Sequence, residues 1–168
     1  MKAIIKQAFI TAVTAVSCLY LAQWFKLPQS FWAVMSAIVV TQPDAKATIS
    51  ASWMRIVGTF AGALVGGSFL AFCGYHVWAF GVGIGLVVLL CALLRLLESY
   101  RIAAVTVAVV MLTGNPGSPW TTASYRFLEV SFGILVALLI SSLFHPFYVY
   151  QNLCKLLDSI IKIMRNKK

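Results

Sequence analysis

The sequence predicts an all-α integral membrane protein with six helices arranged as a three-plus-three inverted repeat. Apolar residues make up 61% of the 168-residue chain and charged residues only 10%, a balance outside the range of soluble domains. Long stretches carry no charged residue, which favours helices surrounded by lipid. These stretches are continuously apolar rather than alternating, which excludes a membrane β-barrel.

Six apolar segments, separated by turn-forming and helix-breaking residues, define the predicted helices. Their approximate bounds are 5–25, 30–42, 47–73, 77–96, 102–113 and 120–145. Together they form a transmembrane domain over residues 1–145, with repeat halves at about 1–74 and 75–145. Segments two and five are shorter than the roughly 20 residues that a membrane span needs. We therefore expect these two segments to be short or broken helices.

The repeat is visible when the chain is shifted by 71 residues, which places segments one to three on segments four to six. Arg55 then falls on Arg126, and Gly62 falls on Gly133. Because three spans is an odd number, the second half would enter the membrane in the opposite orientation. Inverted repeats with interrupted helices are typical of secondary transporters.

The net charge of +9 comes largely from basic residues before the first segment and after the last. The positive-inside rule then places both termini in the cytoplasm. We interpret residues 146–168 as a cytoplasmic amphipathic tail that lies on the membrane or on a partner. The N-terminal apolar stretch has full span length and no cleavage site, so we interpret it as a retained helix. Stacking aromatics do not accompany the basic residues, so nucleic acid is not a predicted partner.

The sequence carries no pattern of catalysis or metal binding. The four cysteines are scattered and the two histidines are isolated, which is not the spacing of a metal site. The chain also lacks a phosphate-binding loop and a nucleophile with a neighbouring base. We therefore predict no metal, no cofactor and no enzymatic activity.

Arg55 and Arg126 are the strongest functional candidates because they stand inside apolar segments. A guanidinium in lipid costs at least about 2.5–3.5 kcal/mol, so each needs a compensating role. In structural terms, Arg55 could extend to the membrane surface and Arg126 could pair with Glu129, three residues away on the same helix. In functional terms, both arginines would stand near opposite ends of an anion path, since the planar guanidinium binds carboxylates through two hydrogen bonds.

Five further residues are candidates for the anion path, and an alternative remains open for each. Thr41, Gln42, Thr113 and Asn115 stand at the breaks that follow segments two and five. Such irregular backbone either lines a water-filled cavity within the protein or lies in solvent. Trp32 either stacks on an aromatic substrate or anchors its helix at the membrane interface.

Four glycines predict where helices pack closely. Gly58, Gly62 and Gly66 are spaced by four residues in segment three, and Gly133 occupies the corresponding position in segment six. Small residues at this spacing allow the backbones of neighbouring membrane helices to approach.

The strings FWAVMSAIVVTQP at 31–43 and RIVGTFAGALVGG at 55–67 resemble the fusaric acid resistance and aromatic acid exporter family of bacterial inner-membrane proteins. A broader similarity extends to the plant malate-permeable anion channels. The residues that carry the resemblance are Trp32, Gln42-Pro43, Arg55, Gly58-Thr59, Gly62 and Arg126.

The resemblance covers nearly the whole chain and implies export of organic anions, with aromatic carboxylic acids as typical substrates. It also implies that Arg55 and Arg126 contact the anion. Larger members of the family carry a cytosolic domain or a second membrane half, which this sequence does not contain. We therefore expect a homodimer or a partner subunit.

Two function hypotheses follow. The first is a transporter or channel for organic anions, with arginines along the anion path. The second is a membrane scaffold that transports nothing and assembles with a partner through the glycines and the tail. Neutral replacement of either arginine separates them, because only the transporter would lose anion flux.

Overall fold

A computed structural model describes residues 1–96, 98–115 and 117–144, and within these ranges all regular structure is helical. The helices are α1 (Lys2–Trp24), α2 (Ser30–Val40), α3 (Ala45–Cys73), α4 (Val77–Leu93), α5 (Tyr100–Thr113) and α6 (Pro119–Phe144). Each helix begins and ends within one turn of its predicted bounds. The predicted tail at 146–168 lies outside the described residues.

Among the described residues, three helices are long and apolar enough to cross a membrane: Ile4–Trp24, Ala45–Cys73 and Pro119–Phe144. The other three are apolar but contain 11, 17 and 14 residues for α2, α4 and α5. The short lengths of α2 and α5 agree with the sequence, whereas α4 is shorter than predicted.

The helix boundaries follow from local chemistry. After α2, Thr41 turns to extended backbone, two residues before Pro43, which has no N–H for a helical hydrogen bond. Gly74 ends α3 with a φ of +65°, which glycine adopts without steric cost. Pro119 is the first residue of α6, a position where its missing N–H removes no helical hydrogen bond.

Helices α1 and α4 end in the same way. Lys26 and Arg95 have positive φ values of 51° and 58°. Each is followed by a residue whose N–H reaches back five positions, from Leu27 to the Ala22 carbonyl and from Leu96 to the Cys91 carbonyl. This is the Schellman arrangement that closes a helix C-terminus. It explains why α4 stops short of its predicted end at residue 96, since no glycine signals this turn.

The helix pairs that pack together form a symmetric set. They are α1 with α2 and α6, α2 with α3 and α6, α3 with α4, α5 and α6, and α5 with α4 and α6. The set is unchanged when α1, α2 and α3 are exchanged with α4, α5 and α6. A three-plus-three repeat would produce this equivalence, while insertion of the halves in opposite orientations remains a prediction.

Many large apolar side chains lie on the outside of the bundle, and many small residues lie inside it. Phe72, Leu93 and Leu143 are 88%, 82% and 76% exposed. Alanines fill the interior instead, and Ala33 and Ala137 are fully buried. Helices that pack in lipid use small residues at their contacts and apolar residues outside, so this distribution fits a bilayer environment.

Gly58, Gly62 and Gly66 of α3 lie against α5 or the residue directly before it. A side-chain carbon on Gly58 would come within 2.7 Å of the Ser99 carbonyl oxygen, and one on Gly62 within 2.6 Å of the Thr106 Cβ. In α6, a side-chain carbon on Gly133 would overlap the carbonyl oxygen of Ala33 in α2. The absence of a side chain at these positions therefore sets how closely the helices approach.

Replacement of Gly133 by alanine is expected to lower the free energy of unfolding by about 1–3 kcal/mol, since an overfilled helix contact must open. The matched control is Gly81→Ala in α4, because a side-chain carbon on Gly81 meets nothing within 4 Å. Unfolding of both variants in detergent, followed by circular dichroism, measures the difference. Equal stabilities of the two variants would contradict the close α2–α6 contact.

Candidate functional site

A cavity of about 170 Å³ lies between α2, α3, α5 and α6. Its wall is apolar apart from three arginines and two threonines. The residues that line it are Trp32, Arg55, Thr59, Arg101, Ile102, Val105, Thr106, Val109, Arg126 and Val130. Arg55 with Arg126, and Thr59 with Val130, are pairs that the 71-residue shift superimposes. The cavity thus contains corresponding positions of both halves.

Arg55 is half-buried and brings an uncompensated charge to this cavity. Its Nε donates a hydrogen bond to the Ser36 hydroxyl at 3.1 Å. No carboxylate in the described part of the chain pairs with it. The guanidinium therefore has N–H groups available as hydrogen-bond donors and keeps its full positive charge, in a cavity wall that is mostly apolar.

Arg126 is only 3% exposed and is held by several partners. Its Nη1 lies 3.3 Å from the Glu129 carboxylate, as the spacing of the two residues allows. Its Nη2 donates to the Gln29 side-chain oxygen and, at 3.4 Å, to the Thr113 hydroxyl. The guanidinium carbon lies 4.5 Å from the centre of the Trp32 ring, within the range of a cation–π interaction.

Glu129 connects α6 to the start of α2. It is 1% exposed and accepts a hydrogen bond of 2.9 Å from the Gln29 backbone N–H. Both members of this buried pair are also bonded to Gln29. Removal of one member would leave the other as an unpaired charge in an apolar interior. The geometry agrees with the structural role for Arg126 that the sequence left open, and it adds a contact between the two repeat halves.

Arg126 also reaches a second, smaller cavity. This cavity of about 90 Å³ is lined by Pro28, Gln29, Thr113, Thr122, Tyr125, Arg126 and Glu129. The Arg126 side chain is thus common to the walls of both cavities. Thr113, predicted to line the anion path, lies at the smaller one.

The other loop candidates lie away from the main cavity. Thr41 donates to the Ala37 carbonyl at 2.7 Å, and Gln42 donates to the Val39 carbonyl at 3.0 Å. Asn115 accepts a hydrogen bond of 2.9 Å from the Gly117 N–H. All three side chains are bonded within their own loops or the adjacent helix end, so the structure does not bring them together with Arg55.

Three polar residues of the cavity wall, Thr59, Arg101 and Thr106, did not enter the predicted site. Thr59 follows Arg55 by four residues, and side chains at this spacing share a helix face, so the sequence did contain a signal. Arg101 directly precedes predicted segment five, and it lies at the cavity. Its side chain is exposed and donates to the Tyr100 hydroxyl at 3.1 Å.

Trp32 is the one predicted aromatic that lines the main cavity. Its ring packs against Arg126 rather than only against lipid. Within the described ranges, no group of three or more metal-ligating side chains comes together. The polar chemistry of the main cavity is therefore that of guanidinium and hydroxyl groups beside an indole ring, which suits an anion with an apolar body.

Comparison with known proteins gives a family and a set of relatives. The family model described as the fusaric acid resistance protein family matches residues 5–166. The p-hydroxybenzoic acid efflux pump subunit AaeB of Yersinia pestis (strain Pestoides F) is 25% identical over 92% of this chain. The protein of the same name from Yersinia pseudotuberculosis serotype O:1b (strain IP 31758) gives the same values.

The matches cover most of this chain but little of those relatives. The chain spans 26% of the length of each of these two relatives. No solved structure matches the chain. The family match extends over nearly all residues, in agreement with the sequence motifs around Trp32 and Arg55. The chain therefore belongs to the fusaric acid resistance protein family.

Proposed function

We propose that this chain forms part of an efflux transporter for organic anions in the bacterial inner membrane, and that aromatic carboxylic acids are its substrates. The observation that carries the proposal is Arg55, a half-buried guanidinium without an acidic partner among the described residues, in the wall of an apolar cavity. Such a charge is costly in lipid unless a functional anion compensates it.

The charges around the cavity indicate where the anion binds. Arg126 is neutralised by Glu129 and already donates to Gln29 and Thr113. Arg101 is exposed and its guanidinium lies 5.7 Å from the Tyr100 ring centre. Arg55 is thus the buried cation with the least compensation, and we assign it the carboxylate. Arg126 would hold Trp32 and the cavity wall in place beside the passing anion.

The cavity volume favours a small substrate. At about 170 Å³, the cavity is below the roughly 300–1,000 Å³ of sites for drug-sized ligands. The α5 side of its wall carries three aliphatic side chains, Ile102, Val105 and Val109. A carboxylate with a single aromatic ring would place its charge at Arg55 and its ring against this wall.

The relatives support both the activity and an assembly. Their name describes a subunit of an efflux pump for p-hydroxybenzoic acid, and this chain corresponds to about a quarter of their length. We infer that a second copy of the chain, or a partner subunit, completes the transporter within the bilayer.

Flux through purified protein tests the proposal. Proteoliposomes containing the full chain should release trapped radiolabelled p-hydroxybenzoate faster than protein-free liposomes do. A neutral solute of similar size, such as benzamide, serves as the control because Arg55 offers it no ion pair. If carboxylate release equals that of protein-free liposomes, also after the copies are cross-linked as dimers, the chain alone is no transporter and the scaffold hypothesis gains support.

A further inference from the structure

Thr59 differs from Thr14, Ser52 and Thr106, three other buried residues that carry a hydroxyl group. It is 1% exposed, and its Oγ1 has no hydrogen-bond partner in residues 1–96, 98–115 and 117–144. Thr14, Ser52 and Thr106 instead donate at 2.8 Å to the carbonyl four residues before them. A buried hydroxyl without a partner is destabilising and needs an explanation; for a residue that lines a cavity, a ligand atom is one such explanation.

The position of Thr59 indicates which ligand atom this is. Arg55 and Thr59 are four residues apart in α3, so their side chains lie next to each other on one helix face. Both line the main cavity. A carboxylate has two oxygens, each of which accepts hydrogen bonds. We propose that the Thr59 hydroxyl and the Arg55 guanidinium together bind the two oxygens of one substrate carboxylate.

This assignment rests on the proposed function and makes it more specific. Arg126, the other buried arginine of the cavity, has its donors directed to Glu129, Gln29 and Thr113. The carboxylate therefore binds on the α3 side of the cavity, and the remainder of the substrate extends toward α5. Thr59 then contributes to substrate affinity as a hydrogen-bond donor, and removal of its hydroxyl weakens binding without removing a charge.

Titration calorimetry of the detergent-purified full chain with p-hydroxybenzoate and with benzoate tests this role. For Thr59→Val, the Kd should rise about tenfold for both probes, which corresponds to about 1.4 kcal/mol. Thr59→Ser keeps the hydroxyl and should bind within about threefold of the unmodified chain. The matched control is Thr14→Val, which removes a fully buried hydroxyl outside the cavity and should leave both Kd values unchanged.

Stability without ligand separates a binding role from a structural one. Because the Thr59 hydroxyl has no protein partner, its replacement by a methyl group of the same shape should leave the unfolding temperature unchanged or raise it. A marked fall for Thr59→Val would reveal a structural hydrogen bond and overturn the proposal. Unchanged Kd values for Thr59→Val would overturn it too, while flux through the unmodified chain would leave the proposed function standing. If the unmodified chain neither binds nor transports the probes, both proposals are wrong.

Discussion

Arg55→Gln is expected to reduce p-hydroxybenzoate flux in proteoliposomes about 10–100-fold. Arginine contributes a charge-assisted hydrogen bond worth about 1.5–3 kcal/mol, and each 1.4 kcal/mol corresponds to about a factor of ten. We expect this variant to fold. Arg55 is half-buried, and its hydrogen bond to Ser36 is separate from the close helix–helix contacts at the glycines. Initial rates of release, normalised to the amount of inserted protein, measure the effect.

Two variants make the Arg55 result specific. Arg55→Lys keeps the charge but loses the planar pair of donors, so its flux should fall between that of Arg55→Gln and the unmodified chain. Lys46→Gln removes a positive charge from an exposed position of the same helix and should transport normally. Full flux in Arg55→Gln would mean that no anion passes this guanidinium, and the transport proposal would lose its main support.

One face of α3 forms both the close glycine contacts with α5 and part of the cavity wall. In α3, Gly58 follows Arg55 by three residues and Gly62 follows Thr59 by three residues. Side chains at this spacing are neighbours on the helix surface. The missing side chains of these two glycines bring Ile102 and Thr106 of α5 close to α3, and the same two residues line the cavity. Close helix packing therefore also sets the width of the proposed substrate site.

Much of the fold could be predicted because its signals are local. Continuous apolar segments and the breaks at Pro43, Gly74 and Pro119 predicted the six helices of the described chain. The end of α4 was the exception, since Arg95 adopts a backbone conformation that its residue type does not signal. The i, i+3 spacing of Arg126 and Glu129 likewise predicted a pair that the structure contains.

The set of residues that form the site could not be predicted in the same way, because it depends on contacts between segments that are far apart in the sequence. The sequence predicted that Arg55 and Arg126 stand near opposite ends of an anion path; this path stays a prediction, and the structure adds that both residues line one cavity. Gln29, which bonds to both members of the buried pair, is about a hundred residues away from them in the chain. The local hydrogen bonds of Thr41 and Gln42 likewise cannot be seen in a one-dimensional pattern, and a role of these two residues in the anion path stays a prediction.

Arg126→Gln is expected to lower the free energy of unfolding by about 3–5 kcal/mol, because it leaves the Glu129 charge buried without its cation. The informative comparison is the double variant Arg126→Met with Glu129→Leu. The double variant removes the same arginine and also the Glu129 carboxylate that the single variant leaves unpaired. Apolar replacement of a buried ion pair is often neutral or stabilising.

Unfolding curves in detergent should therefore rank the single variant well below both the double variant and the unmodified chain. The two variants lack the same guanidinium and the same contacts to Gln29, Thr113 and Trp32, so a difference between them measures the cost of the unpaired Glu129 charge. If the double variant is as unstable as Arg126→Gln, the stability comes instead from the hydrogen bonds and the ring contact of the arginine, and the ion pair with Glu129 is not what holds α6 to the start of α2.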